Sequence, residues 1–328
     1  SVIRARTFYD RDGPYAIASQ INDAIAIGDW TTYLERPKVI EAVTVEEIRE
    51  VAARYFVERA RTTGWFVPKV ENRLSASAKP TGGALYFRDP AVYGPQWQVA
   101  PAGGTPVGPD TPENVDFSSS MQQAEVAGIE VVAVDLPIQN VVSFVGSFAA
   151  GDAQSPASQP MLASLTAAML DKGTAQRDRF AIAERLDALG ANISFSSGSH
   201  SLSFSGRFLR ADAGPVIELL AEQLREPAFA PEVLETLKNR EKANLLQAID
   251  DPGYRASSEL ARQLYPPEHP NYATELEKLI AGLDELSAEE LAAFHAEHYG
   301  SESMRLVFAG DIDFEQLKAA VAIAFEDW

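Results

Sequence analysis

The sequence predicts an α+β fold in which an antiparallel sheet carries helices packed on one face. Two segments, 192–197 and 201–209, alternate polar and apolar residues with a period of two, as half-buried antiparallel strands do. Segments with apolar residues at helical spacing lie before and after them, and the clearest is 45–56. The chain has 328 residues, 46% of them hydrophobic, which allows about two domains and a large core.

Charge and composition exclude several classes of protein. The sequence has 28 Lys and Arg residues against 47 Asp and Glu residues, and this formal charge of −19 argues against a nucleic-acid partner. The absence of cysteine excludes a disulfide framework, a thiolate zinc site and a cysteine nucleophile. No apolar stretch reaches the roughly 18 uncharged residues of a membrane span, so we expect a soluble protein without one.

In the first part of the chain, 1–67, residues 14–59 are predicted to be helical. Thr44 and Glu47 have the spacing of a capping box at the start of an amphipathic helix. A short strand is predicted over 63–67, ending before a proline.

The middle of the chain, 68–115, has the composition of a linker. It contains 8 of the 20 prolines and 6 of the 21 glycines. Its aromatic residues indicate that parts of it are held against a folded surface.

The last part, 116–328, is predicted to form one α+β domain. Its predicted strands are 129–136, 141–149, 192–197, 201–209 and 304–309. Its predicted helices are 160–170, 180–189, 214–224, 231–248, 254–264, 288–298 and 314–325.

An internal repeat links the first and last parts of the chain. The segment Thr44-Val-Glu-Glu-Ile48 aligns with Ser287-Ala-Glu-Glu-Leu291, and the alignment continues without gaps through the following helix. Two interpretations remain. The motif is common enough to recur by chance, or the chain holds parts of two homologous domains on either side of the linker.

Histidine chemistry is limited to four residues: His200, His269, His295 and His298. The last two lie at i, i+3 on a predicted helix, a spacing that can place two imidazoles on one metal. A zincin needs a glutamate on the same helix face and a third ligand, and neither is identifiable here. The alternative is a partly exposed helix face. A dyad of His200 with a neighbouring serine is disfavoured because adjacent strand residues point to opposite faces.

Two other short motifs have structural interpretations. The segment Asp171-Lys-Gly-Thr174 has the residues of a phosphate-binding loop, but in the wrong order. Asp311 and Asp313 could bind a cation, although N-capping of the helix that follows explains them more simply. Residue patterns alone therefore reveal no active site.

The segment Met161-Leu-Ala-Ser-Leu-Thr-Ala-Ala-Met-Leu-Asp-Lys-Gly-Thr174 resembles the signature region of the insulinase/pitrilysin-like zinc metallopeptidases, relatives of the mitochondrial processing peptidases. In active members an H-x-x-E-H stretch runs directly into a similar Lys-Gly-Thr sequence. Further landmarks follow in the family order: Leu186-x-x-Leu-Gly-Ala191, Pro227-x-Phe-x-Pro231, Asp251-Pro252, His269-Pro270 and Val307-Phe-Ala-Gly-Asp311.

The resemblance implies that the metal site is degenerate in this chain. In register with Lys-Gly-Thr, Ser164, Ala167 and Ala168 stand where the family has its first His, its Glu and its second His. The distal ligand Glu is replaced by Gln247 in this register, which a shift of several residues would change. No catalytic, metal or cofactor residue is therefore expected in this chain.

The resemblance implies a non-catalytic portion of an insulinase-like zinc peptidase. It would form part of the peptide-binding chamber and dock to an active, zinc-bearing half or subunit, with peptides as substrate and a homo-oligomer as a possible assembly. The alternative is an inert scaffold or assembly protein of the same fold. The sequence leaves open whether the chain takes part in an enzyme. It also leaves open the compartment, since a bacterial periplasm or an organelle matrix is compatible with a removed signal.

Overall fold

The computed structural model describes residues 9, 14–26, 28–65, 120–137, 140–267, 269 and 271–328. The chain divides into two compact units: Ser1–Pro37 together with Asp116–Trp328, and Lys38–Val115. The predicted linker at 68–115 lies outside the described residues, so the predicted domain boundaries stay predictions.

The first described helices confirm the helical prediction for this part of the chain. They are α1 (Pro14–Ala26), α2 (Thr32–Ala42) and α3 (Val45–Tyr55), followed by a short 3₁₀ turn at Glu58–Ala60. The predicted capping box is present, since the Thr44 hydroxyl accepts from the Glu47 amide and the Glu47 carboxylate accepts from the Thr44 amide. The described part of the predicted strand at 63–67, residues 63–65, has no regular secondary structure.

A six-stranded sheet is the centre of the larger unit. Its strands, in the order β1-β2-β6-β3-β5-β4, are β1 (Met121–Val126), β2 (Ile129–Asp135), β3 (Val141–Phe148), β4 (Asn192–Ser197), β5 (Leu202–Leu209) and β6 (Arg305–Gly310). The α+β class is confirmed, with one correction. The sheet is antiparallel except between β2 and β6, which are parallel because β6 returns through a long helical crossover and enters between β2 and β3.

Eight helices of the described residues accompany this sheet. They are α4 (Leu162–Met169), α5 (Arg179–Leu189), α6 (Ala213–Arg225), α7 (Pro231–Ile249), α8 (Pro252–Leu264), α9 (Leu276–Glu285), α10 (Ala288–His298) and α11 (Phe314–Ala324). Strand β1 and helix α9 were not predicted. The structure contains no helix, among the described residues, that is long and apolar enough to cross a membrane.

The core lies between the helices and one face of the sheet. Phe144, Phe208 and Phe308 come from three adjacent strands, and their ring centroids are 5.9 to 6.4 Å apart. Leu220 of α6 and Val321 of α11 are buried in the same core. Burying each such side chain stabilises the fold by roughly 1.5 to 3 kcal/mol, so this packing fixes the helices on the sheet.

The structure gives the internal repeat a physical form. Helices α3 and α10 are both 11 residues long, and each begins with a complete capping box. In the same alignment α2 corresponds to α9, and both helices lie upstream of the segments that were aligned by sequence. Two helices in tandem with the same spacing favour homologous copies over a chance match.

Candidate functional site

Helix α4 carries three of the four predicted degenerate positions and is packed into the core. Ser164, Ala167 and Ala168 lie at i, i+3 and i+4, so they share one helix face. Ala167 is 2% exposed, and the Ser164 hydroxyl donates to the Met161 carbonyl at 3.1 Å. Two methyl groups and a hydroxyl bonded to its own helix provide neither a set of metal ligands nor a general base.

The fourth predicted position, Gln247, is separated from this face. It lies near the end of α7, and its side chain is exposed. Leu245, two residues earlier and therefore turned by about 200°, belongs to the buried face of α7. Helix α7 contacts α4, but the Gln247 side chain does not lie on its buried face. The assignment of Gln247 to the distal-ligand position stays a prediction.

The histidine pair on α10 makes structural contacts. His295 Nε2 lies 2.7 Å from the Leu224 carbonyl oxygen, and its ring packs against Phe229 and Tyr299. A carbonyl can only accept, so Nε2 carries the proton. The His298 ring packs on Phe294 with 4.5 Å between centroids. Among the described residues no group of three or more His, Cys, Asp or Glu side chains is placed to hold a metal ion.

We expect His295 to make stability depend on pH near neutrality. Burial lowers its pKa, and the bond to Leu224 raises it by a smaller amount. The unfolded state therefore binds a proton first, and the free energy of unfolding falls as pH drops below about 6.5, by about 1.4 kcal/mol for each unit of depression. Urea unfolding between pH 8 and 5 measures this loss.

His295→Gln is the matched variant for this test, since its amide can still donate to the Leu224 carbonyl but does not titrate. The variant should lack the loss of stability below pH 6.5, whereas His298→Gln should keep it. Identical pH profiles for the wild type and His295→Gln would contradict the assignment.

The Lys-Gly-Thr motif after α4 anchors this region to α6. Gly173 has φ +148°, a conformation that side chains disfavour. The Thr174 hydroxyl donates to Glu222 at 2.5 Å and accepts from the amides of Gln176 and Arg177. Arg177 in turn pairs with the Glu222 carboxylate, which is buried. This network is not predictable from the sequence, because Arg177 and Glu222 are distant in sequence and no spacing rule joins them.

The two aspartates near the end of β6 also have structural roles. Asp313 caps α11, since its carboxylate accepts from the Gln316 amide at 3.1 Å, as predicted. Asp311 accepts from the Asn140 amide at 2.9 Å and pairs with Arg210, and both interactions lower its pKa, the amide bond most.

Strand β4 forms one edge of the sheet, beside α4. Its one neighbour among the described strands is β5, and α4 packs against it. The Gly198 amide donates to the Ser201 carbonyl at 2.9 Å, so these two residues form a hydrogen-bonded pair. In an antiparallel ladder such pairs alternate with pairs that are not hydrogen-bonded, so every second residue of β4, counted back from Gly198, directs its amide toward β5. The amides of Ile193 and Phe195 therefore point away from β5, toward the open edge.

A cleft of about 780 Å³ lies at the start of β4, where Gly190 ends α5 in the left-handed conformation. The Tyr9 hydroxyl donates to the Gly190 carbonyl at 2.8 Å, and the Arg207 guanidinium lies 4.1 Å from the Tyr9 ring centroid. Burial raises the Tyr9 pKa. The ring of Tyr9 thus already occupies part of this cleft, held by Gly190 and Arg207.

Fold and site together define the class of protein, a non-catalytic domain of the insulinase-like peptidase fold. Residues 131–263 match the family model of Insulinase (Peptidase family M16), and residues 285–328 match that of the Peptidase M16 inactive domain. Both ranges fall within the one six-stranded sheet and its helices, since the first contains β3 and the second β6. The resemblance to the insulinase-like M16 family is thereby confirmed for residues 131–263 and 285–328.

Relatives of known name agree with this family. The chain is 30% identical over 164 residues to a probable mitochondrial-processing peptidase subunit alpha-1 from Arabidopsis thaliana, covering 46% of this chain and 30% of that protein. It is 25% identical over 174 residues to the non-peptidase homolog YmxG of Helicobacter pylori, covering 52% of this chain and 39% of that protein. The chain thus spans about a third of the length of these relatives.

Solved structures share the fold. A peptidase M16 inactive domain from Pseudomonas fluorescens matches with a TM-score of 0.58 and 28% identity, over 62% of this chain and 50% of that chain. Pitrilysin matches with a TM-score of 0.53 and 20% identity, over 62% of this chain and 22% of that chain. The family implies zinc, but the residues on α4 do not fit a zinc site, so no chemical step is assigned to this chain.

Proposed function

We propose that this chain is a non-catalytic portion of an insulinase-like zinc peptidase. It forms part of a peptide-binding chamber and docks to a homologous half or subunit that carries the zinc. One observation carries this proposal: the helix at the signature position, α4, presents small, packed residues where a zinc site would need ligands. The sheet edge beside it carries no further strand among the described residues.

Peptide binding is supported by the geometry of β4. An exposed edge strand can accept an extended peptide as an additional strand, with main-chain hydrogen bonds supplying affinity. The edge-facing amides of Ile193 and Phe195 are suitable donors for such a strand. The formal charge of −19 favours basic peptides through long-range attraction.

Docking to a zinc-bearing partner is supported by the relatives. One relative is named as a subunit of a processing peptidase and another as a non-peptidase homolog. Because Ser164, Ala167 and Ala168 cannot bind a catalytic metal, a zinc site would have to lie in another domain or chain.

We expect a bound peptide to protect the outward amides of β4 from hydrogen exchange. The probe is an unstructured basic peptide, with exchange at single residues followed by NMR. At ten times the dissociation constant, exchange at Ile193 and Phe195 should slow about tenfold. The amides of Ser194 and Ser196 point to β5 and are the internal control, since their exchange should change little.

Zinc analysis and a fluorogenic cleavage assay complete this test. We expect no bound zinc and no cleavage by the purified chain. Peptide binding elsewhere, with Ile193 and Phe195 unprotected, would contradict the edge site. The inert scaffold alternative predicts that no peptide binds at all, and chelator-sensitive cleavage would contradict both functions.

A further inference from the structure

The Asp152 carboxylate lies beside Ser197, the last residue of β4. The Ser197 hydroxyl donates to Asp152 Oδ1 at 3.3 Å, and no Lys or Arg of the described residues pairs with this carboxylate. Asp152 is exposed as a residue, but its surroundings withdraw the carboxyl from part of the solvent. This burial raises its pKa more than the bond from Ser197 lowers it. The end of β4 therefore holds a negative charge that a cation from outside can reach and stabilise.

The backbone before α4 fixes the position of this carboxylate. The Asp152 amide donates to the Gly198 carbonyl at 2.9 Å, and the Ala153 amide donates to the Ser199 carbonyl at 2.8 Å. Gly151 is buried, and a Cβ at this residue would collide with the Gly198 carbonyl oxygen. The loop is thus held against the turn between β4 and β5, so Asp152 cannot leave β4 without breaking these contacts.

The position of Ser197 in the ladder places Asp152 next to any strand added to β4. Ser197 follows the same alternation as Ile193 and Phe195, so its amide and carbonyl also point away from β5. Residues opposite each other in an antiparallel pair have their side chains on the same face, with Cβ atoms about 4.5 to 5.5 Å apart. The residue of an added antiparallel strand that lies opposite Ser197 is therefore beside the Asp152 carboxylate.

We infer that Asp152 is a specificity-determining residue that selects a lysine or arginine side chain in a peptide bound along β4. The selected side chain is the one opposite Ser197. An unpaired carboxylate forms a charge-assisted hydrogen bond with an ammonium or guanidinium group, and it repels an acidic side chain at the same place. This inference rests on the proposed function and deepens it, because the formal charge of −19 attracts every basic residue, whereas Asp152 acts on one position.

Peptides that differ in one side chain test this selection. The host is a short, capped peptide of serine, threonine and valine, and its central residue is lysine, norleucine or glutamate. Each is titrated into the full chain and followed by NMR, with hydrogen exchange at Ile193 and Phe195 reporting whether it lies on β4. We expect the lysine peptide to bind about fivefold more tightly than the norleucine peptide, and the glutamate peptide to bind more weakly than both.

Asp152→Asn removes the charge but keeps an oxygen that accepts from Ser197, so the loop should stay in place. This variant should bind the lysine and norleucine peptides equally. Asp152→Lys should reverse the order and favour the glutamate peptide, again by about fivefold. Glu125→Gln is the matched control, since it removes one negative charge from β1, at the opposite edge of the sheet, and should keep the full preference.

The outcomes separate this inference from the proposed function. Equal affinities for the lysine and norleucine peptides, with Ile193 and Phe195 protected by both, would overturn the selection by Asp152 and leave peptide binding at β4 intact. A preference that persists in Asp152→Asn, or that Glu125→Gln also loses, would overturn it too, because the overall charge of the chain would then be the cause. If no peptide protects Ile193 and Phe195, the proposed function fails together with the inference.

Discussion

Ala167→Glu should lower the free energy of unfolding by about 4 kcal/mol. Ala167 is 2% exposed and lies on the core side of α4, so the variant places a larger, charged side chain where no described partner waits. In the resemblance on which the register rests, this position holds a catalytic glutamate. The loss of unfolding free energy in Ala167→Glu therefore shows how tightly the core packs around the position that holds the glutamate in active relatives. Urea unfolding followed by circular dichroism and tryptophan fluorescence provides the measurement.

Ala168→Glu is the matched control, because it adds the same side chain one residue later at a partly exposed position. We expect it to cost about 1 kcal/mol. Equal, small losses for the two variants would contradict a packed site, and would indicate that α4 still has room for an acidic side chain.

Arg177→Met should lower the free energy of unfolding by roughly 2 to 3 kcal/mol. It removes the cation that pairs with Glu222, whose side chain is 6% exposed, and leaves a buried carboxylate with Thr174 as its one partner among the described residues. The value lies below that of a fully buried pair because the Arg177 side chain is 33% exposed and part of its interaction is screened by water. Denaturant unfolding at neutral pH provides the measurement.

A double-mutant cycle separates this pair from general packing. Adding Glu222→Gln to Arg177→Met removes the unpaired charge, and should recover at least 1 kcal/mol of the loss. The exposed pair of Arg305 and Glu130 is the control, and Arg305→Met should change stability by less than about 0.5 kcal/mol. Additive effects at Arg177 and Glu222 would show that the network does not hold the loop to α6.

Residues with strong local signals were predicted well. The capping boxes at Thr44 and Ser287 place the starts of α3 and α10 correctly, because the cap is decided by the side chains next to it. The alternating pattern of β4 and β5 was also sufficient to identify the two strands. Strand β1 was not predicted because it lies at the edge of the sheet and its residues are mostly exposed. Its sequence therefore shows little alternation of apolar and polar residues.

Some features of the candidate site were predictable from the sequence, and others were not. The resemblance assigned Ser164, Ala167 and Ala168 to one helix face, and the structure places them on one. It could not place Gln247, whose orientation depends on which side of α7 packs inward. The position of β4 at the end of the row of described strands was also beyond prediction, because strand order is a property of the whole sheet.

The sequence by itself determined the resemblance to the family and the helical repeat, and it predicts the loss of metal ligands, because each is a matter of residue identity and short-range spacing. Only the tertiary structure decided that β6 enters between β2 and β3, that Glu222 is buried against Arg177, and that Val51 is exposed where its counterpart Phe294 is buried. These features come from contacts between segments far apart in the chain. Burial and pairing depend on which surfaces meet, and local sequence does not record that.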